Sequence, residues 1–295
     1  VSGPVIEIDG LVKDYGAVRA LDGVDLEVRR GEVFGFIGPN GAGKSTTIRI
    51  LLDLIRPTEG TVRVLGEDPR AGGVALRARL GYLPGELALE EEATARDLLH
   101  HMAAVRSGAG LERIAVLAER FLLDLDRPVR TLSKGNKQKV GLVQALMHRP
   151  ELALLDEPTS GLDPLLQGEF LDLVREERDA GTTVFLSSHV LSEIEGVADR
   201  VALVRDGRIV IVDDVAALRA AAGQRLEATF DGPVPVEALG GVDELVVDGS
   251  DARGVWRGPP RPLLAALADQ PVVHLELRDR DLQELVLGAY REEPS

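Results

Sequence analysis

The stretch Gly38-Pro39-Asn40-Gly41-Ala42-Gly43-Lys44-Ser45-Thr46 follows the pattern G-x-x-x-x-G-K-[ST] of a phosphate-binding loop. Its neighbours fit. Val33-Phe34-Gly35-Phe36-Ile37 is a short apolar run with the look of a buried strand, and the segment from Ser45 sets Ile48, Leu51, Leu52 and Ile55 at helical spacing. A strand, a glycine loop and a helix start are what anion binding needs. The glycines let successive backbone N–H groups face the anion, and the helix N-terminus adds its partial positive charge. In such a loop Lys44 reaches the β- and γ-phosphates and Ser45 holds Mg²⁺. The loop announces a nucleotide without saying what the nucleotide is for.

The 295 residues are 44% apolar, enough for one large domain or one plus a small one. There is no cysteine, which excludes disulfides, thiolate metal sites and cysteine nucleophiles. Val1-Ser2-Gly3-Pro4 lacks the basic and apolar regions of a signal peptide. No apolar run approaches the ~20 residues of a membrane span, so any span is expected from another chain. The formal net charge is −15, and residues 210–295 hold 16 Asp/Glu against 8 Arg. That acidity argues against nucleic acid as a partner, because phosphates need a basic face. Lysines are few: Lys13, Lys44, Lys134, Lys137 and Lys139.

Alternation predicts half-exposed strands at Val5–Asp9, Val24–Val28 and Val62–Leu65, so the strands around the loop need not be parallel. Helices are expected over Thr94–Arg106, Leu111–Leu123 and Lys134–Met147, making residues 85–150 a helical insertion between α/β pieces. Leu152–Leu155 and Thr183–Leu186 read as fully buried parallel strands. Between them Asp163 caps a helix with Pro164 at its first position, running to about Ala180. Val201–Val204 and Arg208–Val212 form a pair joined by Asp206-Gly207. Leu218–Gly223 looks like a seam. Beyond it the order is strand Leu226–Phe230, helix Val234–Leu239, strands Glu244–Val247 and Gly254–Arg257, helix Pro262–Ala268, strand Val272–Leu277 and helix Leu282–Tyr290, which resembles a ferredoxin-like unit. The expected fold is α/β, with a first domain over residues 1–220 and a small α+β domain over 221–295.

Asp156-Glu157-Pro158 follows the apolar run Leu152–Leu155. A carboxylate at the end of a buried strand beside a phosphate loop is where Mg²⁺ is held through water, which assigns the metal to Asp156. Glu157, the adjacent carboxylate, can polarise an attacking water and is the candidate base. Without the loop, the pair would equally be a solvated turn. Ser133 is an N-cap candidate whose helix start could bind an anion; by itself it also reads as a capped helix with a basic beginning.

Together these stretches resemble an ATP-binding-cassette ATPase. Leu132-Ser133-Lys134-Gly135-Asn136 stands where the family has Leu-Ser-Gly-Gly-Gln, Ser160-Gly161-Leu162-Asp163 resembles its D-loop, and Ser187-Ser188-His189 resembles its switch-histidine motif. Tyr15 stands where an aromatic stacks on adenine. The resemblance covers residues 5–220. It implies ATP and Mg²⁺, and two copies pairing head to tail with each ATP between Gly38–Thr46 of one and Ser133 and Gly135 of the other. It also implies His189 at the γ-phosphate, Asp163 acting across the interface, and a peripheral place on the cytoplasmic face beneath separate multi-span permease chains. Two departures stand out. Lys134 and Asn136 replace Gly and Gln, while the phosphate-touching Ser133 and Gly135 are kept. In Tyr82-Leu83-Pro84-Gly85-Glu86 a glycine replaces the glutamine that usually follows this proline. Gly85 permits backbone angles that Gln would not, and Glu86 is a candidate to take over. Glu90-Glu91-Glu92 reads as a solvated turn or as a contact for a basic cytoplasmic loop of the permease. Within the family, residues 133–140, Leu83–Glu86 and Leu277–Val286 resemble the drug- and antibiotic-export ATPases of the daunorubicin-resistance type, which implies efflux of a drug, antibiotic or lipid-like substrate. The alternatives are a soluble cassette ATPase acting on ribosomes or DNA, and an ATP-binding regulatory subunit with weak hydrolysis.

Overall fold

The computed structural model describes residues 3–280, and the chain divides into two compact units between Asp213 and Asp214. The expected helix Leu282–Tyr290 lies outside the described residues.

The first unit holds two sheets. β1 (Ile6–Tyr15), β2 (Val18–Val28) and β4 (Glu59–Val64) make an antiparallel sheet in the order β2-β1-β4. The second has the order β5-β6-β7-β3-β8-β9, from β3 (Val33–Ile37), β5 (Leu80–Leu83), β6 (Leu152–Asp156), β7 (Thr183–Ser188), β8 (Arg200–Arg205) and β9 (Arg208–Asp214). Its strands β5, β6, β7, β3 and β8 run parallel. Parallel strands are covered on both faces, which is why β3, β6 and β7 are buried at every residue. Phe34 and Phe185 stack across the β3–β7 pair with centroids 5.9 Å apart. One core unites the sheets: Leu26 and Val28 of β2 and Phe36 of β3 share it with Ile48 and Leu51 of α1 (Lys44–Leu51). The glycine loop is thus fixed between two sheets by the helix it opens.

α2 (Pro69–Ala78) has no counterpart in the sequence reading; Gly72-Gly73 masks its periodicity, and Gly73, at φ 54°, kinks it. The insertion contains α3 (Ala95–Val105), α4 (Leu111–Arg120) and α5 (Lys134–Leu146). Thr94 and Asp97 close a reciprocal capping box on α3. α6 (Pro164–Asp179) starts at Asp163, whose carboxylate accepts from Leu166 N at 3.1 Å. Arg120 joins α4 to α6, bonding Glu176 at 2.6 and 2.9 Å and Glu169 at 3.0 Å.

The second unit starts with α7 (Val215–Ala222), so Leu218–Ala222 is helical rather than a loop seam. β10 (Gln224–Phe230), β11 (Val242–Asp248), β12 (Asp251–Trp256) and β13 (Val272–Asp279) form a sheet in the order β11-β12-β10-β13, every neighbour antiparallel. α8 (Pro260–Leu267) covers one face through Leu263 and Leu267, against Leu226, Ala228 and Phe230. The helix expected at Val234–Leu239 is a 3₁₀ turn, Val236–Leu239, preceded by Pro235. A proline cannot donate to a helical ladder, and two of them, Pro233 and Pro235, leave too short a run for an α-helix.

Candidate functional site

The loop between β3 and α1 encloses a cavity of about 290 Å³, lined by Asn40, Gly41, Gly43, Lys44, Ser45 and Thr46, with Ala20 on one side and Glu157 on another. Its shape depends on glycine. Gly43 has φ 102°, and a Cβ there would lie 2.5 Å from Leu21 Cδ2 and 2.7 Å from Ala20 O. A side chain at Gly43 would push the loop off β2, so the loop follows the sheet behind it.

Lys44 is buried, with its ammonium inside this frame. Nζ donates to Gly38 O at 2.6 Å and Pro39 O at 3.3 Å. It also lies 3.2 Å from Glu157 Oε1, an ion pair without hydrogen-bond geometry. The other carboxylate oxygen, Glu157 Oε2, is 2.7 Å from His189 Nδ1. Glu157 therefore faces a cation from the loop and an imidazole from the turn after β7. Three residues chosen from separate sequence motifs meet at one carboxylate.

Asp156 closes β6 and is 2% exposed. Its Oδ1 accepts from Ser187 Oγ at 2.6 Å. That hydroxyl also receives Glu157 N–H at 3.1 Å, and Ser187 O receives it at 3.2 Å. Gly85 stands beside the same carboxylate, since a Cβ on it would lie 3.2 Å from Asp156 Oδ2. Gly85 does not use the left-handed region, so its glycine serves space next to Asp156, not backbone freedom. Burial raises the Tyr82 phenol above its ordinary range, the Asp156 charge adds to that, and Arg49 opposes it.

A carboxylate at the loop's edge, a serine on the first turn of α1 and a buried lysine suit a nucleotide with a hard divalent cation. Among the described residues no cluster of three or more His, Asp or Glu could hold a metal alone. Mg²⁺ matches this, as it takes few protein ligands and shares phosphate oxygens. Ser45 and Asp156 are the groups that would hold it, and it would neutralise phosphate charge.

Other expected site residues lie elsewhere. Ser133 caps α5, accepting from Asn136 N at 3.3 Å, and is exposed. Gly135 packs on the turn before Asp163: a Cβ on it would meet Gly161 O at 2.4 Å. Tyr15 ends β1 at the hairpin tip, 47% exposed, with Lys13 Nζ 5.0 Å from its ring centre. Ser133, Gly135, Asp163 and Tyr15 are not among the residues lining the cavity. Glu91 and Glu92 already have partners in the chain, Lys137 at 3.6 Å and Arg130 at 2.7 Å.

The sequence reading missed three groups that hold the site. Ser187 bonds Asp156 and Glu157 as described. Glu193 receives Thr159 Oγ1 at 2.8 Å and Ser188 Oγ at 3.1 Å, tying the turn after β6 to the turn after β7. Gln138 on α5 reaches the backbone at Glu157. The alignment of Ser187 with Asp156 across parallel strands was within reach of a register argument. Nothing in spacing pointed to the other two.

Comparison with known proteins points to one family. The family profile described as ABC transporter matches residues 21–160. The chain is 42% identical over 226 residues to the daunorubicin resistance ATP-binding protein DrrA3 of Streptomyces coeruleorubidus, covering 74% of this chain and 71% of that one. It is 35% identical over 290 residues to the daunorubicin/doxorubicin resistance ATP-binding protein DrrA of Streptomyces peucetius, covering 94% and 88%. A solved structure of an ATP-binding subunit of an ABC transporter superposes with a TM-score of 0.68 at 32% identity, covering 74% of this chain and 92% of that one.

Proposed function

We propose a working role from one premise: this chain belongs to the ABC transporter ATP-binding proteins and is an ATPase whose hydrolysis is coupled to transport. The role is export of a drug or antibiotic. Its support is likeness to two relatives named for daunorubicin resistance, one of them along nearly the whole chain. No described helix is long and apolar enough to cross a membrane, and the role assigns the spans to separate permease chains above the cytoplasmic face.

The observation that carries the mechanism is the shared carboxylate of Glu157, set between Lys44 and His189. On this reading the loop amides from Gly38 to Thr46 cradle the phosphates, and Lys44 turns its ammonium from the Gly38 and Pro39 carbonyls to the γ-phosphate. Glu157, released from Lys44, orients the attacking water and accepts its proton. His189 holds the γ-phosphate and the carboxylate in line. Ser45 and Asp156 would hold Mg²⁺, which would neutralise charge on the phosphates. Ser133, Gly135 and Asp163 lie off the cavity because they serve a second copy's nucleotide, and Tyr15 at its exposed tip stacks on adenine. Nucleotide then joins two copies head to tail and hydrolysis frees them.

The permease contact falls at a groove of about 640 Å³ between α3 and the segment after β5, lined by Leu87, Leu89, Leu98 and Met102 with Glu90 and Asp97 at its edge. The occupant is an amphipathic cytoplasmic segment of the permease bearing a basic residue, matched to those carboxylates. The second unit is a ferredoxin-like accessory domain; its strand order β11-β12-β10-β13 supports this, though its first helix is only a 3₁₀ turn.

Glu157→Gln is expected to bind ATP, abolish steady-state phosphate release and accumulate an ATP-bound dimer, read by light scattering with and without the permease. A variant that stays monomeric in both conditions refutes the dimer mechanism. Purification from detergent-solubilised membranes is expected to bring down a multi-span protein. Recovery of rRNA or DNA without one would transfer the chain to the soluble ATPases. One observation favours a regulatory reading, the glycine at position 85 beside Asp156. Nucleotide binding without turnover in the assembled complex would establish it.

A further inference from the structure

Gln138 is buried on α5, and its side-chain amide donates to two consecutive carbonyls, Glu157 O at 3.2 Å and Pro158 O at 3.3 Å. Only the NH₂ end of a primary amide can serve two carbonyls, so chemistry fixes which way the side chain points. The peptide it holds is unusual. Glu157 has φ 50°, a conformation that a residue with a side chain keeps only when its surroundings over-determine it. Its N–H is held by the oxygens of Ser187 on β7, and its C=O by Gln138 on α5. The carboxylate between Lys44 and His189 thus stands on a strained residue clamped from two elements.

We propose that Gln138 is a positioning residue for Glu157, and that through it the aim of the carboxylate depends on what touches the start of α5. This rests on the reading of Ser133 and Gly135 as contacts of a second copy's nucleotide. Ser133 and Gln138 lie five residues apart, roughly 7.5 Å along a helix axis, and an unbroken helix moves as one body over that length. A nucleotide that draws in the first turn of α5 moves Gln138 with it and resets the Glu157 peptide in the same chain. Each chain's chemistry is then licensed by the nucleotide bound to its partner.

The test uses the chain co-purified with its membrane partner. Gln138→Met keeps side-chain length and removes both donors. It is expected to lower kcat for ATP about tenfold, hold KM within about twofold, bring the Hill coefficient of hydrolysis toward one, and lower Tm by only a few degrees, the cost of the two lost donors. Gln138→Glu can donate only when protonated, so its kcat is expected to recover relative to the unmodified chain as pH falls, which a purely structural residue would not do. Unmodified kcat in either variant overturns the proposal, as does a raised KM at unchanged kcat. If Gln138→Met does not fold, the pH profile of Gln138→Glu decides. Glu157→Gln is run beside them. If it still hydrolyses ATP, the reading of the site fails; if it does not and Gln138→Met is fully active, only this proposal fails.

Discussion

His148 carries its imidazole where a proton is unwelcome. Burial pushes it down to about 4, the nearby Arg106 and Arg113 charges add to that, and the bond of Nε2 to Leu80 O at 3.0 Å only partly opposes them. Nε2 donates to that carbonyl, and Nδ1 is buried without a hydrogen-bond partner. A histidine depressed in the fold must take up a proton on unfolding in acid, so its stabilising contribution is present at neutral pH and declines as pH falls from about 6.5 to 4. After discounting for partial exposure, about 1–2 kcal/mol is at stake. His148→Gln, which can still donate to Leu80 O, is expected to flatten the fall of Tm over that window; an unaltered slope would remove His148 from the acid response. At this scale the site was legible in part. Lys44, Glu157 and His189 each follow a buried strand on a short loop, and loops at the ends of parallel neighbours converge. Gln138 was not legible, because what it does depends on reach between elements, and its surroundings, Lys-Gly-Asn-Lys-Gln-Lys, look like a solvated face.

Between elements, the tie of α4 to α6 rests on two arginines, and Arg113 is the more consequential. It bonds Leu146 O at 2.7 Å and pairs with Glu177, which is 4% exposed. Removing one partner strands a buried charge, typically about 3–5 kcal/mol, whereas replacing both with apolar side chains is often nearly neutral. Arg113→Met is therefore expected to lower Tm sharply, and Arg113→Met/Glu177→Leu to recover most of the loss by calorimetry. An additive double variant would mean that the pair is not coupled. Elements with clean punctuation matched the sequence: β3 has the expected bounds, and α6 begins at Pro164 behind its Asp163 cap. Misses came where glycine or proline interrupts a pattern. β1 runs on to Tyr15 through an irregularity at Gly10, which breaks the alternation that seemed to end the strand. α2 is hidden by its paired glycines, and Val236–Leu239 is shortened by prolines.

For the whole molecule, binary patterning announced the α/β class, because that class is built from local periods. Patterning could not announce how the helical insertion meets the turn after β6, or how that turn is tied to the one after β7, since the bonds that do this, Gln138 to Glu157 and Glu193 to Thr159, join residues 19 and 34 positions apart. The burial of Lys44 has a practical consequence in a chain with only five lysines. Lys139 is also buried, Lys137 is 3.6 Å from Glu91, Lys13 lies over Tyr15, and Lys134 is exposed on the first turn of α5. An amine-acylating reagent read by mass spectrometry would find few targets on the rest of the surface. Its footprint is expected to be strong at Lys134 and weak at Lys44. On the head-to-tail reading, protection of Lys134 on adding ATP to the Glu157→Gln variant would report closure, with no label introduced by mutation. The scarcity of one amino acid makes the native side chains their own conformational probe.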